Sequence, residues 1–271
     1  MERIQRALEI ARLQRTGIAE DDESSRSAER ASIRQEFVGA ICPAQKVRID
    51  RESLREKRIV FWDDVGPASS AYRMLRTQVL QRARAHGMTT IGVVSGINGE
   101  GKTLTAINLA LSIAAEPNQS VALIDLDLRR PAVAGTLGLD VPQGLETWFS
   151  EDDRAIEQVC YGVEGVERLL LLPTLAPVTG SSEALAGGLS RKLLAELKSR
   201  EPGRLLIIDL PPVLLSDDVL TAASLLDGVV LVASEARTRR EDVARVLELL
   251  SGTRVVGTVL NQSSESEQRP Y

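Results

Sequence analysis

The chain is nearly devoid of cysteine and histidine: Cys42 and Cys160 are its only thiols and His86 its single imidazole. The thiols stand far apart and outside any metal-ligand spacing, which excludes a zinc centre, and one isolated histidine gives no ground for a serine–histidine–acid triad. Both thiols are expected to be reduced and structural, as in a cytoplasmic protein. Long apolar runs are missing too. No stretch approaches the roughly 18 uncharged apolar residues that a membrane-spanning helix needs. The opening "MERIQRALEIARLQR" is charged throughout and lacks the apolar centre of a signal peptide. The expectation is a cytoplasmic protein that reaches the inner face of the plasma membrane only through a partner. Excess positive charge is also lacking: 33 Lys and Arg stand against 38 Asp and Glu, a net charge of −5. That balance gives no footprint for nucleic acid, and none is expected as a partner.

What is present is a change of period along the chain. Residues 2–15 carry Ile4, Leu8 and Ala11 near one face and predict a short N-terminal helix. Residues 16–59 are polar and mixed in charge at first, then allow a short helix in "ESLREKRIVFW"; they read as a flexible linker with short elements. A helix is predicted over 68–85, ending at Gly87. From there "TTIGVVS", "SVALIDLD", "RLLLLP", "RLLIIDLPP", "GVVLVAS" and "RVVGTVLN" supply six apolar strand candidates. Helices are predicted in "GKTLTAINLALSIAA" and over 182–199, 217–224 and 239–250. Apolar strands alternating with helices specify an α/β fold, a mainly parallel central sheet covered by helices on both faces. The folded domain is expected over 60–262, with its nucleotide core at about 88–262 and a flexible tail at 263–271.

The chemistry is concentrated at three strand ends. Residues 96–103, "GINGEGKT", satisfy G-x-x-x-x-G-K-[ST] between a strand and a helix. Gly96, Gly99 and Gly101 let backbone N–H groups turn inward, and the helix N-terminus adds unpaired donors facing a polyphosphate. Asn98, Glu100 and Leu104 belong to the same cradle. Lys102 is placed to reach the β and γ phosphates, and the Thr103 hydroxyl to help hold Mg²⁺. Asp125 and Asp127 end the strand in "ALIDLDLRRP", and Asp209 ends the one in "LLIIDLPP". Carboxylates suit a hard, oxygen-seeking ion. Asp125 and Asp209 are read as metal carboxylates, and Asp127 as the group that orients or deprotonates an attacking oxygen. Arg129 is a candidate for ordering a carboxylate or a phosphate.

Together, "GINGEGKTLTAINLA", "VALIDLDLRRP" and "LLIIDLPPVLLSDDVL" resemble the Walker A, A′ and B segments of the bacterial tyrosine autokinases of capsule and exopolysaccharide production. The likeness extends through "GLETWF", "SSEALA" and the final "VLN". The opening "RIQRALEIARLQR" resembles the stand-alone kinases of exosortase systems. The resemblance implies a P-loop NTPase fold, ATP and Mg²⁺ as cofactors, and phosphorylation of tyrosines in the kinase's own tail. It also implies a membrane polysaccharide co-polymerase or chain-length regulator as activating partner, and assembly into a homo-oligomeric ring. By it, Lys102, Thr103, Asp125, Asp127 and Asp209 take the ATP, metal and catalytic roles.

Two departures from that pattern are visible. The family's Glu-x-x-Arg-x-x-Arg oligomerisation helix reads Ser70, Arg73 and Arg76 here, and the tail carries one phosphoacceptor candidate, Tyr271, in place of a tyrosine cluster. Two alternatives to the kinase therefore stand at the level of sequence. One is a nucleotide-gated, non-kinase regulator of a polysaccharide assembly protein. The other is a partition-type ATPase, against which Ile97 counts because that branch places a lysine there.

Overall fold

The protein is described here by a computed structural model covering residues 45–150 and 155–263. The helix expected over 2–15, Cys42 and Tyr271 lie outside the described residues. Eight strands form one sheet: β1 (Gln45–Val47), β2 (Thr90–Ser95), β3 (Val121–Asp125), β4 (Tyr161–Val163), β5 (Val166–Leu172), β6 (Leu205–Asp209), β7 (Gly228–Ser234) and β8 (Val255–Asn261). Their order across the sheet is β1-β4-β5-β3-β6-β2-β7-β8. Every pairing is parallel except β4 with β5, a hairpin turning at Glu164 and Gly165. The six expected strands are all present. β1 and β4 are additions, each only three residues long and thus too short to show a period.

Burial on both sides explains why the central strands read as unbroken apolar runs. In β6, Leu205 and Ile207 join one core cluster while Leu206 and Ile208 join the other. β2 divides likewise, with Ile91 and Val93 on one face and Val94 on the other. The first layer takes its helical residues from α1 (Arg51–Glu56), α2 (Pro67–His86), α3 (Lys102–Ala114) and α4 (Val133–Leu137). The second takes them from α5 (Leu145–Ser150), α6 (Ser181–Ala186), α7 (Gly188–Arg200), α8 (Asp218–Ala222) and α9 (Arg240–Leu249).

Three expectations change in detail. The helix read over 182–199 is two, α6 and α7, because Gly187 takes an extended conformation at φ −70°, ψ 169°. Adjacent glycines contribute least to a helix, and the break costs little there. The stretch 217–224 holds only α8 before tightening into a 3₁₀ turn at Ala223–Leu225. Finally, residues before 60 belong to the fold: β1 pairs with β4, and Leu54 of α1 is buried in the first core layer.

Candidate nucleotide site

β2 runs into the loop 96–101, and α3 begins at Lys102. Two loop glycines hold left-handed conformations, Gly99 at φ 81° and Gly101 at φ 89°. A Cβ at Gly101 would also collide with the side-chain amide of Asn261. Only glycine fits there, for dihedral and steric reasons together.

Parallel register brings the acids to the same end of the sheet. Asp209 is level with Asp125 across the β3–β6 pair and with Val93 across β2–β6. Lys102 Nζ lies 2.7 Å from Asp127 Oδ2 and 3.5 Å from Asp209 Oδ1. The Thr103 hydroxyl donates to Asp209 Oδ2 at 2.6 Å, and Lys102 Nζ donates to Thr103 Oγ1 at 3.2 Å. Asp125 lies behind this cluster. It accepts from the backbone N–H of Asp127 at 3.2 Å and of Ala132 and Val133 at 3.0 Å each. Asp127 also accepts from the Arg130 N–H at 3.1 Å, which fixes the turn that follows β3.

Burial and mutual repulsion set the electrostatics. Desolvation pushes the Asp125 carboxyl well above the ordinary carboxylate range, and the neighbouring Asp209 pushes it further. Asp209 is likewise raised by burial, against the opposing pull of Lys102 and the Thr103 hydroxyl. Burial alone would lower Lys102, but the carboxylates of Asp209 and Asp127 outweigh it and hold the ammonium protonated above its usual range.

The predicted residues divide on inspection. Lys102, Thr103, Asp127 and Asp209 meet directly, and Asp125 supports them through main-chain contacts. Gly96, Gly99 and Gly101 form the cradle, with Asn98 exposed on it. Leu104 packs its side chain on the first core layer, so only its backbone belongs to the cradle. Glu100 differs from expectation. Its fully buried carboxylate turns away, accepting from the Ile97 N–H at 2.9 Å and from the Thr238 hydroxyl. Arg129 takes the carboxylate role of the two left open: its guanidinium forks onto Asp218 at 2.9 and 3.0 Å and reaches Asp217 at 3.0 Å. It orders carboxylates at the start of α8.

Sequence reasoning missed the rear brace of the loop. Asn261 Nδ2 donates to the Glu100 carbonyl at 2.9 Å, and Gln262 Nε2 to the Gly99 carbonyl at 3.1 Å. Gln262 also accepts from the Ser234 hydroxyl at 2.6 Å, tying the ends of β7 and β8 to the loop. A polar pair closing a strand is a weak local signal. It acquires meaning only once β8 is known to end beside residues more than a hundred positions earlier.

The set fits a nucleotide with Mg²⁺. A hydroxyl and a carboxylate sharing a proton donor–acceptor contact are hard oxygen ligands, and the glycines leave room that a Cβ would fill. Among the described residues no group of three or more His, Cys, Asp or Glu forms a metal cage. Mg²⁺ needs none, because it is bound by one or two carboxylates together with substrate phosphates.

With this geometry in hand, comparison places the chain among known proteins. A family model described as "ParA: NUBPL iron-transfer P-loop NTPase" matches residues 88–268. Tyrosine-protein kinase YwqD of Bacillus subtilis is 30% identical over 207 residues, 75% of this chain and 84% of that protein. Tyrosine-protein kinase CpsD of Streptococcus agalactiae is 30% identical over 179 residues, 65% and 76% respectively. Of solved structures, the VpsO kinase domain is 29% identical with a TM-score of 0.65, covering 78% of this chain and 98% of its own. The chimerical protein CapA2B2 has a TM-score of 0.69 over 82% of this chain and 95% of its own; at 22% identity it speaks for the fold.

Proposed function

The chain belongs to the ParA-type P-loop NTPases and, with them, to the bacterial tyrosine-protein kinases, and from that membership we propose that it transfers the γ-phosphoryl group of ATP to a protein tyrosine. The observation that carries this reading is the meeting of Lys102, Thr103, Asp127 and Asp209 at one glycine cradle.

In this reading the loop amides and Lys102 hold the triphosphate and offset the charge that develops on its terminal oxygens. Thr103 and Asp209 would hold Mg²⁺, which would supply charge neutralisation to the phosphates. Asp127, paired with Lys102 in the same cluster, orients the phenol and receives its proton as the oxygen attacks phosphorus. The bond from the γ phosphorus to the bridging oxygen breaks, and ADP leaves. Catalysis rests on placement and electrostatics, with no covalent enzyme intermediate.

From the resemblance of its Walker segments we assign this chain a regulatory role in capsule or exopolysaccharide production, together with a membrane co-polymerase or chain-length regulator as partner. Among the described residues no helix is long and apolar enough to cross a membrane, so recruitment falls to that partner. Tyr271 is the proposed acceptor in the tail. Ring assembly is part of the same proposal. Arg76, one arginine of the expected oligomerisation helix, pairs within its own chain with Glu116 at 2.8 Å and donates to the Ser112 carbonyl at 3.1 Å. Sedimentation in Mg-ATP that finds only monomer overturns the ring.

Iron transfer, the other activity in the family description, is not assigned. The sequence has no Cys-x-x-Cys pair, and Cys160 is wholly buried, its thiol pushed up to about 12 by desolvation.

The test is phosphosite mapping by mass spectrometry after incubation with Mg-ATP, alone and with the co-polymerase. Phosphotyrosine is expected in the wild type and absent in Lys102→Met, and Tyr271→Phe removes the tail signal. Nucleotide-dependent partner binding without phosphotyrosine would replace the kinase by a nucleotide-gated regulator.

A further inference from the structure

We propose that Arg237 is a second phosphate-binding cation of this site, closing the cradle from the β7 side while Lys102 faces β6 and β3. The inference rests on the nucleotide-binding part of the function proposed above and does not depend on tyrosine transfer.

The first observation is position. A Cβ built on Gly99 would lie 2.6 Å from Arg237 Nη1 and 3.4 Å from its Cζ. The guanidinium therefore rests against the exposed crest of the phosphate loop, three residues before Lys102. Gly99 must lack a side chain for this approach as well as for its left-handed backbone.

The second is that the approach is built. Arg237 sits in the turn after β7, where its N–H donates to the Ser234 carbonyl at 3.2 Å and the Thr238 N–H to the same carbonyl at 2.9 Å. The Ser234 N–H donates to Thr238 Oγ1 at 2.7 Å, and that hydroxyl donates to the buried Glu100 carboxylate. The turn carrying Arg237 is thereby pinned to the residue next to Gly99.

The third is that the guanidinium is uncommitted. Arg237 is exposed, and no hydrogen bond or ion pair engages its side chain among the described residues. Glu100, the acid beside Gly99 in sequence, is turned inward to Ile97 and Thr238. Arg129, by contrast, is occupied by Asp217 and Asp218.

Charge gives the reason a cation belongs there. Around the cradle, Asp125, Asp127 and Asp209 are set against Lys102 alone. A polyphosphate entering that field gains from a fixed positive charge at its other lip. A guanidinium offers paired donors with the geometry of phosphate oxygens.

The test compares Mg-ATP and inorganic tripolyphosphate by titration calorimetry on the full chain. Arg237→Gln is expected to weaken both by about 10-fold, the scale of one charge-assisted hydrogen bond, with Arg237→Lys in between. Arg245→Gln makes the same change of net charge at an exposed residue paired with Glu248, and is expected to leave both affinities unaltered. Unchanged affinities in Arg237→Gln overturn the inference. So does a loss for ATP alone, because the guanidinium would then meet the base and not the phosphates. A wild-type chain that binds neither probe refutes the nucleotide reading itself, a result distinct from a silent Arg237 variant.

Discussion

Lys102 does two jobs at the scale of a single residue: it awaits a phosphate and, meanwhile, separates Asp127 from Asp209. Its replacement by Met should abolish phosphoryl transfer, read by radiolabel incorporation. It also leaves those acids without their cation, and loss of one partner from a buried ion pair costs about 3 kcal/mol. Urea unfolding should register that cost while circular dichroism still reports the native fold. Asp227 offers a contrast without catalytic duties. Burial would raise its carboxyl, but the backbone N–H groups of Thr89 and Thr90, donating at 2.8 and 2.9 Å, hold it below its ordinary range. Such a depressed group stabilises the fold above its unfolded value near 3.8, and that stabilisation disappears as the pH falls through the native value. Asp227→Ala should therefore cost about 0.5–1 kcal/mol at pH 7, the carboxylate being partly open to solvent, and the gap to wild type should narrow as the pH falls below 3.8 in paired denaturant titrations.

At the scale of elements, the junction of loop and α3 turns on Gly101. Gly101→Ala forces a side chain into a left-handed backbone and into the Asn261 amide, which breaks the contact with the Glu100 carbonyl. Mg-ATP affinity should fall at least 100-fold, while the two core layers, which include neither residue, keep the melting temperature within a few degrees. Elements also show what could be read beforehand. Asp127 and Asp209 were legible because each stands at or just past the end of an apolar strand, and a parallel sheet aligns such ends; Lys102 was legible because it closes the glycine pattern that opens α3. Gly187 dividing a helix was legible in principle, since two glycines adjoin there. Thr238, Asn261 and Gln262 were not, because nothing within a few residues of them refers to Glu100 or Gly99. For Arg129 the carboxylate role was legible but its partner was not, since proximity to Asp127 in sequence says nothing of Asp218 at the start of α8.

For the whole molecule, the rear brace makes the last strand a partner of the first loop. Binding of Mg-ATP at residues 96–103 should slow amide exchange there and also at 234–238 and 255–262. Protection confined to the loop would show that the brace does not transmit occupancy. β8 is the edge strand of the sheet, with Leu260 exposed, so its amides have protection to gain.

Gln262 hooking the Gly99 carbonyl has one more consequence, for distance and not for stability. Residues 263–271 start from the rim of the nucleotide cradle, and nine residues reach no farther than about 30 Å. For Tyr271 as the acceptor proposed above, a tether of that length would set an effective concentration in the millimolar range at active sites within that radius.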